Sequence, residues 1–403
     1  MSPSSAHGVS RRAFLRRAAA LAAGVYAFPR WALAGADERT ALILVWLQGG
    51  ASQLETFDPK PGTPQGGPTR AIETALPGVR FAAGLPKLAE RANRLCVLRS
   101  LSGREGDHRR ASYVLHTGWS INPALDYPHL GALLDAERAA EGLGFVSLGS
   151  VPARGGFRGA AYAPLEVPND RPPGGRAPDG FAARRELLKT LESEFSRRAH
   201  ADAEQRVQAF TQAQRVLEGP IRGAWDLEQE PQATRDAYGA SLLGRRLLVA
   251  RRLVEAGARC VVVESPDWDH HEDLFRRHAS RAQELDAGLS ALLDDLRARK
   301  RWERTVVACF GEFGRTPTIN PRQGRDHYPQ AFSGLLAGGG LRPGVVGATG
   351  PDGARVVERP LRLADVHATL LARLGVDPAG QQLAGDRPLD LVDAGEPISE
   401  VLG

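Results

Sequence analysis

Apolar positions in this chain fall into short unbroken runs separated by longer stretches with helical spacing. The first run, Ala41-Leu42-Ile43-Leu44-Val45-Trp46-Leu47, is apolar throughout and suits a strand covered on both faces. Gly49-Gly50 ends it, and polar residues follow at once. Leu95-Cys96-Val97-Leu98 reads as a second buried strand, ending in the polar stretch Ser100 to Arg110. Farther on, a helix over about 240–256 leads into the strand Cys260-Val261-Val262-Val263-Glu264. Another over about 278–299 carries Leu285, Leu289, Leu292, Leu293 and Leu296 along one face and leads into Thr305–Phe310. This alternation predicts a mostly parallel sheet with helices on both faces, a three-layer α/β/α sandwich. Ligands bind such sheets beyond the carboxyl ends of the strands. No repeat of about 20–50 residues is visible, which argues against a solenoid or propeller.

Two regions break the alternation. Residues 152–180 are rich in Gly and Pro, with Pro172-Pro173-Gly174-Gly175 near the far end, and predict a long surface loop. Residues 181–217 are charged and helix-favouring, and predict a helical insert. The N-terminus has a different character. Ser10-Arg11-Arg12-Ala13-Phe14-Leu15-Arg16 precedes a mild apolar run from Ala18 to Phe28, and Ala32-Leu33-Ala34 offers small residues for cleavage. The order is that of a twin-arginine signal peptide over residues 1–34, which leaves 35–403 as one exported, periplasmic α/β domain. The partner it implies is the twin-arginine export machinery.

That segment also carries the net charge. The chain totals +5, and residues 1–34 hold five arginines and no acid, so the remainder is near neutral. The basic footprint of a nucleic-acid binder is therefore missing. No apolar run beyond the signal approaches the roughly 20 residues that span a bilayer, so no transmembrane segment is expected in the mature chain. Cys96, Cys260 and Cys309 each sit in an apolar run and read as small buried hydrophobes.

Polar residues gather where the strands end. Ser52, Glu55 and Asp58 follow the first, and Asp107 and His108 follow the second. Asp267-Trp268-Asp269-His270-His271 follows the third. Glu312 and Arg315 follow the fourth, with Arg325-Asp326-His327 soon after. Parallel strands bring these ends to one rim, where carboxylate oxygen and imidazole nitrogen suit one or two divalent ions such as Zn²⁺, Mn²⁺, Mg²⁺ or Ca²⁺. For His108, metal ligation and a loop hydrogen bond stay equally open. His367 lies in an amphipathic stretch and reads as a helix-face histidine. Gly338-Gly339-Gly340 has no following Lys-Ser/Thr and is a turn, not a phosphate loop.

Five segments resemble a known pattern. Gly49 to Pro61 (GGASQLETFDPKP), Tyr162-Ala163-Pro164, Trp268-Asp269-His270-His271, Gly311-Glu312-Phe313-Gly314-Arg315-Thr316-Pro317 and Gly324-Arg325-Asp326-His327-Tyr328-Pro329 are similar to the bacterial family called domain of unknown function 1501. The likeness runs from about residue 40 to the C-terminus. That family is similar to the alkaline phosphatase and sulfatase superfamily. The resemblance implies an alkaline-phosphatase-like sandwich with a site for one or two divalent metals. It places Glu55 where the family has an aspartate, matches Asp269 and His271 to an Asp-x-His pair, and makes His327, with Asp326, a late ligand. Glu312 stands at the aspartate of the superfamily's Asp-His pair, whose histidine is replaced here by Phe313. Aligning Thr117-Gly118 with the end of the helix that carries the nucleophile puts Arg104 at its position, with Ser102 and Ser100 displaced nearby. Either water attacks, or Ser102 reaches in by another loop path, or no hydrolysis occurs.

These residues predict a metal-dependent hydrolase of phosphate or sulfate esters. Its metal set is Glu55, Asp269, His271, Glu312, Asp326 and His327, and its catalytic set is Ser102, Arg104, His108 and Arg315. Arg104 or Arg315 would steady a small anionic ester. The competing expectation is a metal-binding scaffold whose partner is another exported protein.

Overall fold

The computed structural model describes residues 40–137, 144–152, 154–168, 187 and 220–402. The predicted signal over 1–34 lies outside these residues, as does the Gly/Pro-rich loop beyond Pro168 and the predicted insert over 181–217 save Leu187.

In chain order the framework comprises β1 (Ala41–Leu47), β2 (Leu95–Leu101), α1 (His108–Thr117), α2 (Leu130–Glu137), β3 (Phe145–Leu148) and β4 (Leu165–Glu166). It continues with α3 (Leu242–Glu255), β5 (Cys260–Ser265), α4 (Leu274–Ala298), β6 (Thr305–Phe310), β7 (Gly314–Arg315) and β8 (His327–Tyr328). β9 (Phe332–Gly338), β10 (Gly344–Val346) and α5 (Leu363–Arg373) complete it. Eight strands form one sheet in the order β10-β2-β9-β6-β1-β5-β3-β4. All neighbours pair in parallel except β9, which runs antiparallel to both β2 and β6.

Strand alternation sorts the core into two halves. Ile43, Val45 and Leu47 of β1 face one side with Val261 and Val263 of β5, against Leu243 and Leu247 of α3 and Leu285 and Leu289 of α4. Leu42, Leu44 and Trp46 face the other, against Leu115 of α1, Leu130 and Leu133 of α2 and Leu370 of α5. The result is the predicted α/β/α sandwich with a mostly parallel sheet. Every residue of β1 is buried, and each aliphatic side chain contributes about 1.5–3 kcal/mol by leaving water. The central strands therefore form a firm frame for whatever their ends carry. The three cysteines are free and buried in this core, as expected, and burial pushes the Cys96 thiol up to about 12.

Two boundaries differ from expectation. β2 runs on to Leu101, which puts Ser100 inside the strand, where its hydroxyl donates to the Arg359 carbonyl at 2.5 Å. α4 begins at Leu274, so the buried His278 lies in its second turn. Among the described residues no helix is long and apolar enough to cross a membrane.

Candidate metal centre

The rim is built by the carboxyl ends of β1, β2, β5 and β6, and β9 enters from the same side because it runs the other way. That reversal brings the residues just before β9, including His327, to the rim. Gly49 and Gly50 after β1 have φ of 109° and 79°, which side-chain-bearing residues rarely adopt. A Cβ on Gly49 would lie 2.6 Å from the Asp269 amide nitrogen, and one on Gly50 would lie 2.7 Å from the Phe313 ring. The bare turn lets the segments after β5 and β6 close over it. His108 opens α1, behind Asp107, whose carboxylate caps the helix by accepting from the Arg110 amide at 3.1 Å. His327 sits on β8, held antiparallel to Arg315 of β7.

Three imidazoles converge on one carboxylate. His271 Nε2 lies 3.0 Å from Asp269 Oδ1, His327 Nε2 lies 3.3 Å from the same oxygen, and His108 Nε2 lies 3.3 Å from Asp269 Oδ2. Donor atoms of His108, Asp269 and His327 all fall within 4.8 Å of one another. Each ring's second nitrogen is occupied by an acceptor. His108 Nδ1 donates to Glu312 Oε1 at 2.8 Å, His271 Nδ1 to Asp326 Oδ1 at 2.7 Å, and His327 Nδ1 to the Gly106 carbonyl at 2.8 Å. With the proton fixed on Nδ1, every neutral ring presents its Nε2 lone pair to the centre. His271 Nε2 and His327 Nε2 are 3.0 Å apart, a contact that two lone pairs tolerate only with a proton or cation between them. His108 Nε2 is buried and has no aligned hydrogen-bond partner. The nitrogens of His108 and His327 and a carboxylate oxygen of Asp269 therefore fit a divalent cation, with His271 Nε2 adjoining Asp269 and His327.

The electrostatics agree. Asp269, then Glu312, raises His108 from 6.5 to about 9, against the opposing effect of partial burial. Burial alone would raise the Asp269 carboxyl, but His108, His327 and Arg315 outweigh it and hold the group well below the usual carboxylate range. His271 likewise lowers Asp326. The centre is a strong anion surrounded by proton-accepting rings, and a cation entering it competes with the His108 proton.

The other predicted residues take different positions. Glu312 is buried, with Oε2 accepting from Trp46 Nε1 at 3.0 Å and Oε1 from the Gly49 amide at 2.9 Å as well as from His108. Its oxygens orient the His108 ring. Asp326 does the same for His271. Glu55 is drawn into a separate buried pair, accepting from Arg325 Nη2 at 2.8 Å and Nε at 3.0 Å and from Thr69 at 3.0 Å. Arg315 is fully buried, donating to the carbonyls of Gly49, Gly50 and Arg325 and to Asp269. Its guanidinium fixes Asp269 and is closed to an outside anion. Ser102 donates to the Leu361 carbonyl at 3.4 Å, with no base on its hydroxyl among the described residues. Arg104 is exposed and lines a cavity beside Glu312 with Ser102. His367 is buried in α5 with Nε2 donating to the Leu115 carbonyl at 2.8 Å, as a helix-face histidine should be.

The roles of three contributors, Trp46, Gly49 and Gly106, were not read from the sequence. Trp46 is one apolar residue in a continuous strand run, and nothing in that run marks its indole as a donor to Glu312. Gly49 and Gly106 contribute only backbone atoms. Phe313 packs against both His108 and His327, with ring centroids 4.9 and 4.5 Å away.

Among solved structures, the chain is similar to the lipoteichoic acid synthase LtaP from Listeria monocytogenes, with 12% identity over 94% of this chain and 79% of that one and a TM-score of 0.46. It is also similar to the C-terminal periplasmic domain of EcEptC from Escherichia coli in complex with Zn (11% identity, 91% and 96% covered, TM-score 0.40). A protein in the alkaline phosphatase superfamily from Vibrio parahaemolyticus shares 12% identity over 85% of this chain and 67% of its own, with a TM-score of 0.35. None of the curated proteins matches this chain. The family model described as "Protein of unknown function (DUF1501)" matches residues 39–402, and the chain belongs to that family.

Proposed function

We propose that this chain is an exported hydrolase of phosphate or sulfate esters that depends on one divalent cation held by His108, Asp269, His271 and His327. One observation carries the proposal: three Nε2 atoms meet a single carboxylate while each Nδ1 is tied to an acceptor. Three imidazoles favour Zn²⁺ over Mg²⁺ or Ca²⁺, which prefer oxygen. The engagement of Glu55 with Arg325, and of Glu312 and Asp326 with histidines, leaves no second set of ligands among the described residues and favours a single ion. Export by the twin-arginine route is supported by Ser10–Arg16 and the small residues at 32–34.

A bound divalent cation supplies a Lewis acid for an ester oxygen. The chain's own groups prepare for that. Arg315 locks Asp269 from behind, and Glu312 and Asp326 hold the His108 and His271 rings and keep their protons on Nδ1. Arg104, free of partners among the described residues, would meet the substrate's anion. Ser102 lacks a base, so attack is assigned to water and not to serine.

The test is metal analysis of protein exported by its own signal, followed by hydrolysis assays on aryl phosphates, phosphodiesters and sulfate esters. Bound cation with turnover supports the proposal. Absence of any bound cation overturns it. Cation bound without turnover on any ester favours a binding protein, a reading supported by the apolar Phe313 ring packed against both His108 and His327.

A further inference from the structure

A cavity of about 260 Å³ opens beside the candidate metal centre, with Glu312 and Pro329 in its wall. Asp326 and Tyr328 line a separate cavity. The first cavity borders the centre through Glu312, which holds the His108 ring.

Its wall is mixed. Val114, Phe332 and Leu363 give an apolar surface, and Arg104 and Arg362 bring two guanidiniums. Arg104 has no hydrogen bond or ion pair among the described residues. Arg362 is anchored through Nη2 by the Ala394 carbonyl and by Asp365 Oδ1, and its Nε and Nη1 make no hydrogen bond among the described residues. Of the acids in the wall, Glu105 accepts from Arg110 at 2.7 Å, and Glu312 is occupied by Trp46, Gly49 and His108. Asp393 is the remaining acid in a wall that carries two available guanidiniums. Size narrows the ligand further. A cavity of about 150 Å³ holds a benzene ring, and drug-sized ligands need about 300–1,000 Å³.

We infer that this cavity is the substrate pocket, and that it selects an ester whose non-reacting part is one compact apolar group ending in a second anion. The inference rests on reading the neighbouring donors as a cation site. The apolar wall takes the body of that group, and Arg104 and Arg362 take its terminal carboxylate, sulfate or phosphate, for which planar guanidiniums are suited.

The experiment uses Zn²⁺-loaded protein and two probes that cannot be hydrolysed, phenylphosphonate and 4-phosphonobenzoate, titrated by calorimetry. The expected result is at least tenfold tighter binding of the carboxylate-bearing probe, with the ratio falling below threefold in Arg362→Gln and in Arg104→Gln. The Arg104 variant removes a side chain with no internal partner, so its result does not depend on folding. Equal binding of the probes, or a preference that survives both substitutions, overturns the pocket. Zinc content measured beforehand separates the failures: absence of bound Zn²⁺ overturns the cation reading beneath it, whereas bound Zn²⁺ without the preference overturns the pocket alone.

Discussion

Two groups of three histidines lie at different depths in this protein, and their chemistry is opposite. At the rim, His108, His271 and His327 aim Nε2 at Asp269 and are tied through Nδ1 to Glu312, Asp326 and Gly106. In the interior, His129 Nδ1 accepts from the Gly131 amide at 2.7 Å, so its Nε2 must carry the proton donated to His116 Nδ1 at 2.8 Å. His116 Nε2 is then an N–H without an acceptor, set edge-on to the Trp46 ring at a centroid distance of 4.7 Å. His367 donates to Leu115 and stops there. Burial pushes His116 down to about 3 and His367 to about 4, and lowers His129 well below its ordinary value. The rim group has a carboxylate at its centre, and the interior group has none. Imidazoles gather in either place, but only the rim group turns its Nε2 atoms toward a carboxylate, the arrangement that suits a cation.

The largest consequence concerns Asp269. Asp269→Asn keeps the shape and removes the charge, and should weaken Zn²⁺ binding by about a hundredfold or more, read by competition with a chelator. Unchanged affinity would mean that the rim histidines are no different in kind from the buried ones. Glu312→Gln should cost about 10–100-fold, because His108 would lose the acceptor that sets its tautomer. Loss of fold in place of affinity, seen by circular dichroism, would make Glu312 a core residue like His116.

pH separates the groups by sign. His108 is raised from 6.5 to about 9, so its contribution to the stability of cation-free protein is complete below about 6.5 and is lost as pH rises through 9. Zn²⁺ affinity should move the other way, rising by up to about tenfold per pH unit over that window as the proton leaves. The interior histidines are depressed, so their contribution is present above 6.5 and falls away as pH drops toward 4 and then 3. Melting temperatures of cation-free and loaded protein across pH 4–9 check both arms, and a flat affinity from pH 6.5 to 9 would contradict the first. The smallest effect belongs to the interior. His116→Phe should leave Zn²⁺ affinity within about twofold while shifting the melting temperature, and a large loss of affinity would erase the distinction between the groups.

Much of this was legible beforehand, for reasons that can be named. β1, β5 and β6 are buried on both faces, so their sequences are unbroken apolar runs. Parallel strands share a carboxyl rim, which is why Asp269, His271 and His108 could be gathered from distant segments. β9 was not legible: Phe332–Gly338 carries two glycines and runs into Gly339-Gly340, which reads as turn. Yet that antiparallel strand is what returns His327 to the rim. The roles of the acids were harder still. Glu55, Glu312 and Asp326 look alike as ligands in a sequence, and only the packed loops give the first to Arg325 and the others to histidines. Arg315 looked like an anion binder, and its full burial could not be read from its neighbours.

X-ray absorption spectroscopy of the Zn²⁺-loaded, full-length protein would decide the nature of the rim. Three imidazole nitrogens at about 2.0–2.1 Å with one carboxylate oxygen at about 2.0–2.2 Å is the expected shell. A shell with fewer than two imidazoles, or one dominated by oxygen, would mean that His108, His271 and His327 do not hold the cation together.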